Sequence, residues 1–236
     1  MLTREYSGGR RLLLTSGPLS GTVWKRGGSP LLFEPMSFSL FESLFGSQVR
    51  ARLIRLFVLN TEGEYSTADV ASKTLLSKTE VSREILRLKK MGFLRELSRR
   101  KVKMYQMRPD FPFFPELLSL VLKSNVGVSH RMFQKLQSAG DVKLILVSGL
   151  FLNHAKSKAD MILVINSPHR LRLKVAMDKL EAEIGREIRF VLMNTDELHY
   201  RLNMLDRFLI EFLEGPYQEV QNRVPEIKRF VAGLKK

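Results

Sequence analysis

Cysteine is absent from the 236-residue sequence. Its absence excludes disulfides, thiolate nucleophiles, thiolate-held iron–sulfur clusters and sulfur-ligated zinc. Histidine is scarce: His130, His154, His169 and His199 form neither an HxxxH nor an HExxH pattern, so no metal motif is readable. No apolar run approaches the roughly eighteen residues that span a bilayer. The early stretch RRLLLTSGPL is cut short by polar residues and Pro18, unlike a secretory signal. Acid is the last shortage: 24 Asp and Glu stand against 39 Lys and Arg, a net charge of +15. Such an excess points to a polyanion or an anionic surface rather than to a small metal-dependent hydrolase. With 44% apolar and 9% aromatic residues the chain still buries a core.

Residues 1–35 carry six glycines and three prolines without periodicity, which is expected of a flexible tail. Met36 stands directly before a well-patterned segment, so translation is expected to start at Met36, with Met1 the alternative. From Phe38 to Leu59 apolar residues recur at Leu40, Leu44, Val49, Leu53, Leu56 and Phe57, predicting one amphipathic helix. Ser66 or Thr67 caps a second helix with Ala68, Val70, Ala71 and Leu75 inward. Ser77 and Glu80 give the capping-box pattern of a third, whose stripe is Val81, Ile85 and Leu88. Two short extended segments around the basic tip SRRK then predict a hairpin.

Charge coincides with this order. From Ser82 to Lys103 nine Lys and Arg stand against Glu84 and Glu96, a local excess of seven. Helix, turn, helix and basic hairpin are the parts of a winged helix-turn-helix. If Val81, Ile85 and Leu88 face inward, then Lys78, Thr79, Ser82, Arg83 and Glu84 or Arg87 project outward. Arg83 suits guanine edges, and Lys78, Thr79 and Ser82 suit phosphates. Arg99, Arg100, Lys101 and Lys103 on the hairpin would add sequence-independent affinity.

Three prolines in RPDFPFFPE mark a connector over residues 109–125, with a short helix Glu116–Leu122. Beyond it the pattern predicts a helix around Val128–Leu136, strands at Lys143–Ser148, Asp160–Ile165 and Arg189–Met193, and a helix Arg170–Ile184. A short helix capped by Thr195 and helices Asn203–Leu213 and Pro225–Leu234 follow. Strands alternating with helices imply a small layered domain over residues 126–236 with a mixed sheet. Phe111, Phe113, Phe114 and the group Phe208, Leu209, Phe212, Leu213 read as packing between domains or as a homodimer surface.

The stretch from Ser37 to Met107, with LFGS before its long helix and Tyr65 five residues before Val70-Ala71, resembles MarR/ArsR-like winged-helix regulators fused to a minimal nucleotidyltransferase domain. The resemblance extends to about residue 215. It implies an α+β protein, an N-terminal winged helix-turn-helix at 36–108 followed by a small α/β nucleotidyltransferase-like domain. In that family a Gly-Ser turn holds the triphosphate and an Asp-x-Asp pair holds magnesium. Here Ser148-Gly149 stands at the turn, and Asp160 is followed by Ile162 where the second acid belongs. The transfer domain is therefore expected to be degenerate, with no catalytic, metal or cofactor residues. Asp160 reads as a structural or surface acid, with a relic ligand as the alternative. Ser148-Gly149 reads as an ordinary turn or a small anion nest, His154 as a loop residue or a phosphate contact, and Ile162 as core. The implied function is sequence-specific binding of double-stranded DNA by a non-enzymatic, cytoplasmic, nucleoid-associated transcriptional regulator. A homodimer stays open and no membrane is involved. The alternatives are an active nucleotidyltransferase and an RNA- or protein-binding module.

Overall fold

The computed structural model describes residues 22–23, 31–32, 38–125 and 133–234. Thr22–Val23 (β1) and Leu31–Leu32 (β2) pair antiparallel in a unit, Met1–Glu34, distinct from Pro35–Lys236. The rest of the expected tail lies outside the described residues, as does the expected Val128–Leu136 helix up to residue 132. From Phe133 the chain enters a 3-10 turn, Lys135–Ala139. No helix among the described residues is long and apolar enough to cross a membrane.

Gly46 divides the expected first helix in two. Its φ of +62° ends α1 (Phe38–Phe45), and the Ser47 hydroxyl, accepting from the Arg50 N–H, starts α2 (Gln48–Leu59). Leu40 and Leu44 consequently stay exposed while Phe41 is buried. Helix α2 buries Ala51 and the run Leu53 through Val58, and is thus the central helix of its half. Strand β3 (Tyr65–Ser66) leads into α3 (Thr67–Thr74). The complete reciprocal capping box forms here, between Ser66 and Asp69. At Ser77 the hydroxyl accepts from the Glu80 N–H and donates to the Glu80 carboxylate instead. Ala68 and Leu75, expected inward, are exposed. Leu75 takes the left-handed conformation that closes α3.

Helix α4 (Lys78–Lys90) buries Val81, Glu84, Ile85 and Leu88. Strands β4 (Leu94–Arg99) and β5 (Val102–Met107) form the hairpin, and β3 completes an antiparallel sheet in the order β3-β5-β4. Helix α5 (Phe114–Asn125) packs Leu117, Leu118 and Val121 onto the same core.

The second half is a four-stranded mixed sheet, β6 (Asp141–Val147), β7 (Met161–Asn166), β8 (Phe190–Met193) and β9 (Gln218–Asn222), in the order β8-β7-β6-β9. Only β7 and β8 run parallel, joined by α6 (Arg170–Ile184). Both faces of the sheet are covered, which explains the unbroken apolar runs LILV and MILVI. Met161, Leu163 and Ile165 meet α6 on one side, while Ile162 and Val164 meet α7 (Thr195–Asn203), α8 (Arg207–Glu214) and α9 (Glu226–Leu234) on the other. Several expectations need correction. Asn194, not Thr195, caps α7; the Thr195 N–H and hydroxyl donate to Asn166 Oδ1. The polar run QEVQN is edge strand β9, which the sequence pattern hid. Phe111 and Phe114 pack on the first core, and Phe208, Leu209, Phe212 and Leu213 in the second half, rather than between the halves, while Phe113 is exposed.

The halves meet where α2 crosses the end of α6. The buried Arg55 guanidinium lies 4.2 Å from the centre of the Phe41 ring and donates from Nη1 to the Glu183 carbonyl at 3.2 Å. Asn60 Nδ2 donates to Leu56 O and Gly185 O. Gly185 has φ +83°, and a Cβ there would sit 2.9 Å from the Arg55 backbone carbon. Gly185→Ala should therefore cost about 3 kcal/mol, combining left-handed strain with overpacking. The expected readout is a lower urea midpoint at unchanged slope. Gly233→Ala, which meets no atom within 4 Å, should leave the midpoint level or raise it.

Candidate nucleic-acid interface

Helix α4 has two faces that share no residue. At about 100° per residue, Thr79, Leu86 and Lys90 stand opposite the buried four, with Ser82 and Arg83 beside them. All five are exposed. Lys78 and Arg87, also exposed, lie toward the borders of this face. Glu84, one of the outward candidates, is instead 3% exposed. It lies three residues after Val81 and four before Leu88, within the buried arc. There it accepts from Arg50 Nε at 2.5 Å and from Arg87 Nη1 at 3.1 Å, tying α4 to α2.

The basic residues divide into two kinds. Some are committed to ion pairs that hold the elements in place. Arg99 grips Glu64 with two parallel bonds of 2.9 and 2.8 Å, and that grip holds the Glu64 carboxyl below its usual range. Glu96 accepts from Lys89 at the end of α4 and lies 3.3 Å from Lys103 on β5, bridging helix to hairpin. The hydrogen bonds from Lys89 and Lys103 lower the Glu96 carboxyl likewise. Others are uncommitted: no carboxylate among the described residues pairs with Lys78, Arg83, Lys90, Arg100 or Lys101. Of the nine residues singled out from sequence, all are exposed; the Glu96 bridge brings Lys103 to the last turn of α4. Lys90 and Leu86 escaped that selection, although helical spacing from Val81 and Leu88 points to them.

Arg100 and Lys101 form the hairpin tip with φ of +48° and +66°, between the paired residues Arg99 and Val102. Positive φ at both central positions is the type I′ geometry that Asn-Gly satisfies without strain. Two long cations in this turn cost backbone energy.

The region around Asp160 is closed to an incoming anion. Its buried carboxylate accepts from Leu150 N at 2.8 Å, Arg189 N at 3.0 Å, Arg189 Nε at 3.0 Å and Arg189 Nη2 at 2.9 Å. Gly149 is required beside it: at φ +47°, a Cβ would fall 2.1 Å from Asp160 Oδ1. The turn thus cradles an anion, and that anion is the protein's own. Asp160 is the structural acid of its two readings, but buried rather than at the surface, and Ile162 is core. His154 is half-buried in the loop, its N–H donating to Gly149 O, on the wall of a cleft of about 830 Å³ between the halves. Charged groups on that wall neutralise one another, Lys73 with Glu187, Lys174 with Asp178 and Arg189 with Asp160. Burial raises the Glu181 carboxyl there. No group of three or more His, Asp or Glu among the described residues is placed to hold a metal ion.

No family model, curated protein or solved structure matches this chain.

Replacing Arg100-Lys101 by Asn-Gly should stabilise the protein by about 1–2 kcal/mol, measured as a higher urea midpoint. For Asp160, burial pushes its carboxyl up, yet the bonds from Arg189 and the backbone N–H groups of Leu150 and Arg189 outweigh it and leave it below its ordinary 3.8. Its contribution is therefore complete above that pH and lost as the pH falls further. Asp160→Asn should be less stable than the native chain by about 2 kcal/mol at neutral pH. Denaturant titrations along a pH series should show the two converging below 3.8.

Proposed function

We propose that this chain is a sequence-specific double-stranded DNA-binding protein, a transcriptional regulator of the winged helix-turn-helix kind. In this reading α3, the turn at Leu75–Ser77 and α4 form the helix-turn-helix, α4 enters the major groove, and β4–β5 is the wing. The observation that carries it is the uncommitted cationic face of α4. Arg83 and Lys90 stand opposite the buried arc and pair with no carboxylate among the described residues, while neighbouring cations are spent on holding the helix and hairpin together. Partnerless charge costs least where a polyanion neutralises it and releases counterions. The Arg100-Lys101 tip adds a second reason: strained backbone that displays two cations is kept where display serves function.

The half at 133–234 acts as a scaffold related in layout to a minimal nucleotidyltransferase, without transfer chemistry. Support comes from Asp160, whose oxygens are already engaged by four donors, and from Ile162 in the core. The proposed site of action is the cytoplasm, at the nucleoid.

The test is binding at fixed salt to duplex DNA, single strands and structured RNA, with duplex favoured. Arg83→Ala should narrow the gap between selected and random duplex, by about 1–3 kcal/mol of discrimination. Arg100→Ala with Lys101→Ala should weaken every duplex alike and flatten the slope of log K against log salt by about 0.9 for each phosphate no longer neutralised. Equal losses on selected and random duplex from Arg83→Ala would remove it from base reading. A preference for structured RNA would overturn the DNA assignment.

A further inference from the structure

Leu86 has the wrong chemistry for the place it occupies. It is 55% exposed, one turn after Ser82 and one before Lys90, with Arg83 and Arg87 alongside. It lies within about 30° of the direction opposite the buried arc of α4, at the centre of the free face. The core beneath the helix takes Val81, Ile85 and Leu88 and does not include it. A single exposed leucine is common on any protein. This one is the lone apolar side chain on a face it shares with Thr79, Ser82 and the uncommitted cations Arg83 and Lys90.

The surroundings restrict what covers it. A second copy docked face to face would oppose Lys78, Arg83 and Lys90 to their own counterparts, and like charges across an interface cost several kcal/mol. A lipid surface needs an apolar stripe for insertion, and here the stripe is turned into the protein. A duplex fits both parts: phosphates meet the cations, and the major groove offers one apolar group on a base edge, the C5-methyl of thymine.

We infer that Leu86 is a specificity-determining residue that packs on a thymine C5-methyl, with Arg83 and Lys90 flanking that base pair. The inference rests on the DNA-binding reading above. It also separates DNA from RNA by chemistry, since uracil lacks the methyl.

The experiment begins with a duplex selected by the native protein from a randomised pool. Each thymine is then replaced in turn by deoxyuridine, which removes only the methyl. One position per bound copy should lose about fourfold in affinity, the factor that corresponds to about 0.8 kcal/mol for one buried methyl group. Leu86→Ala should bind the thymine duplex about that much more weakly and be indifferent to deoxyuridine at that position, whereas Leu86→Met should retain the sensitivity. Circular dichroism and thermal melting of Leu86→Ala should match the native chain, because the side chain supports no core. If deoxyuridine costs Leu86→Ala as much as it costs the native protein at every position, the inference fails while DNA binding stands. If the native protein selects no duplex, both fall together at the first step.

Discussion

A guanidinium almost sealed from solvent joins the two halves, and the geometry on either side is built around it. Burial pushes Arg55 down to about 10, so it remains charged at neutral pH and must be answered by what surrounds it. The Phe41 ring of α1 lies against it, and the Glu183 carbonyl of α6 accepts from it. The carbonyl belongs to the last turn of α6, where the helix dipole is negative and favours a cation. Gly185 then lets the chain turn away against the α2 backbone, at a distance no side chain tolerates. A buried charge of this kind is weak evidence for net stability. What it does is fix a register: α2 crosses α6 at one place only, and Lys73 of α3 finds Glu187 just beyond.

From α2 the same logic passes to α4. Glu84 is buried between Arg50 and Arg87, so the helix is held by a charge-assisted bond as well as by Val81, Ile85 and Leu88. Rotating α4 to bring another face outward would bury Arg83 and strand Glu84 without a partner, each costing several kcal/mol. The local excess of seven charges therefore overstates what is available for binding. Arg87, Lys89, Arg99 and Lys103 are engaged in ion pairs and Arg95 holds Gln106. The proposed duplex would meet chiefly Arg83, Lys90, Arg100 and Lys101, four charges on a frame that the other five keep rigid.

Periodicity made much of this legible. The spacing of Val81, Ile85 and Leu88 placed α4, and Arg170–Ile184 matches its helix to the residue. The apolar runs around Leu144 and Leu163 read as strands because a sheet covered on both faces needs no polar alternation. What stayed hidden had little hydrophobic signal. Strand β9 is polar because it lies at a sheet edge, where it pairs with β6 through its ladder and through the Gln221 side chain, which donates to the Val142 carbonyl. The break at Gly46 was masked by apolar residues on both sides of it, although its glycine and the following Ser47 were a stop and a start in plain view. Glu84 was misread through its charge, since a carboxylate on a buried arc looks outward until a partner from another helix is known. Arg50 is thirty-four residues away, beyond any local pattern.

Asp160 is a buried acid whose oxygens are filled by donors of the same chain. An acid at the start of a strand beside a Gly-containing turn is the arrangement that would present a carboxylate to a metal ion and backbone N–H groups to a phosphate. Here those two partners satisfy each other. Leu150 N–H points at the carboxylate, and Arg189, supplying both its backbone N–H and its guanidinium, completes the set. A cation entering this site would have to displace Arg189, and a phosphate would have to displace Asp160 itself. Each exchange breaks charge-assisted bonds before any new one forms. The same bonds tie the β6 turn to the start of β8, so the donor geometry that would suit an anionic ligand serves to fasten the sheet.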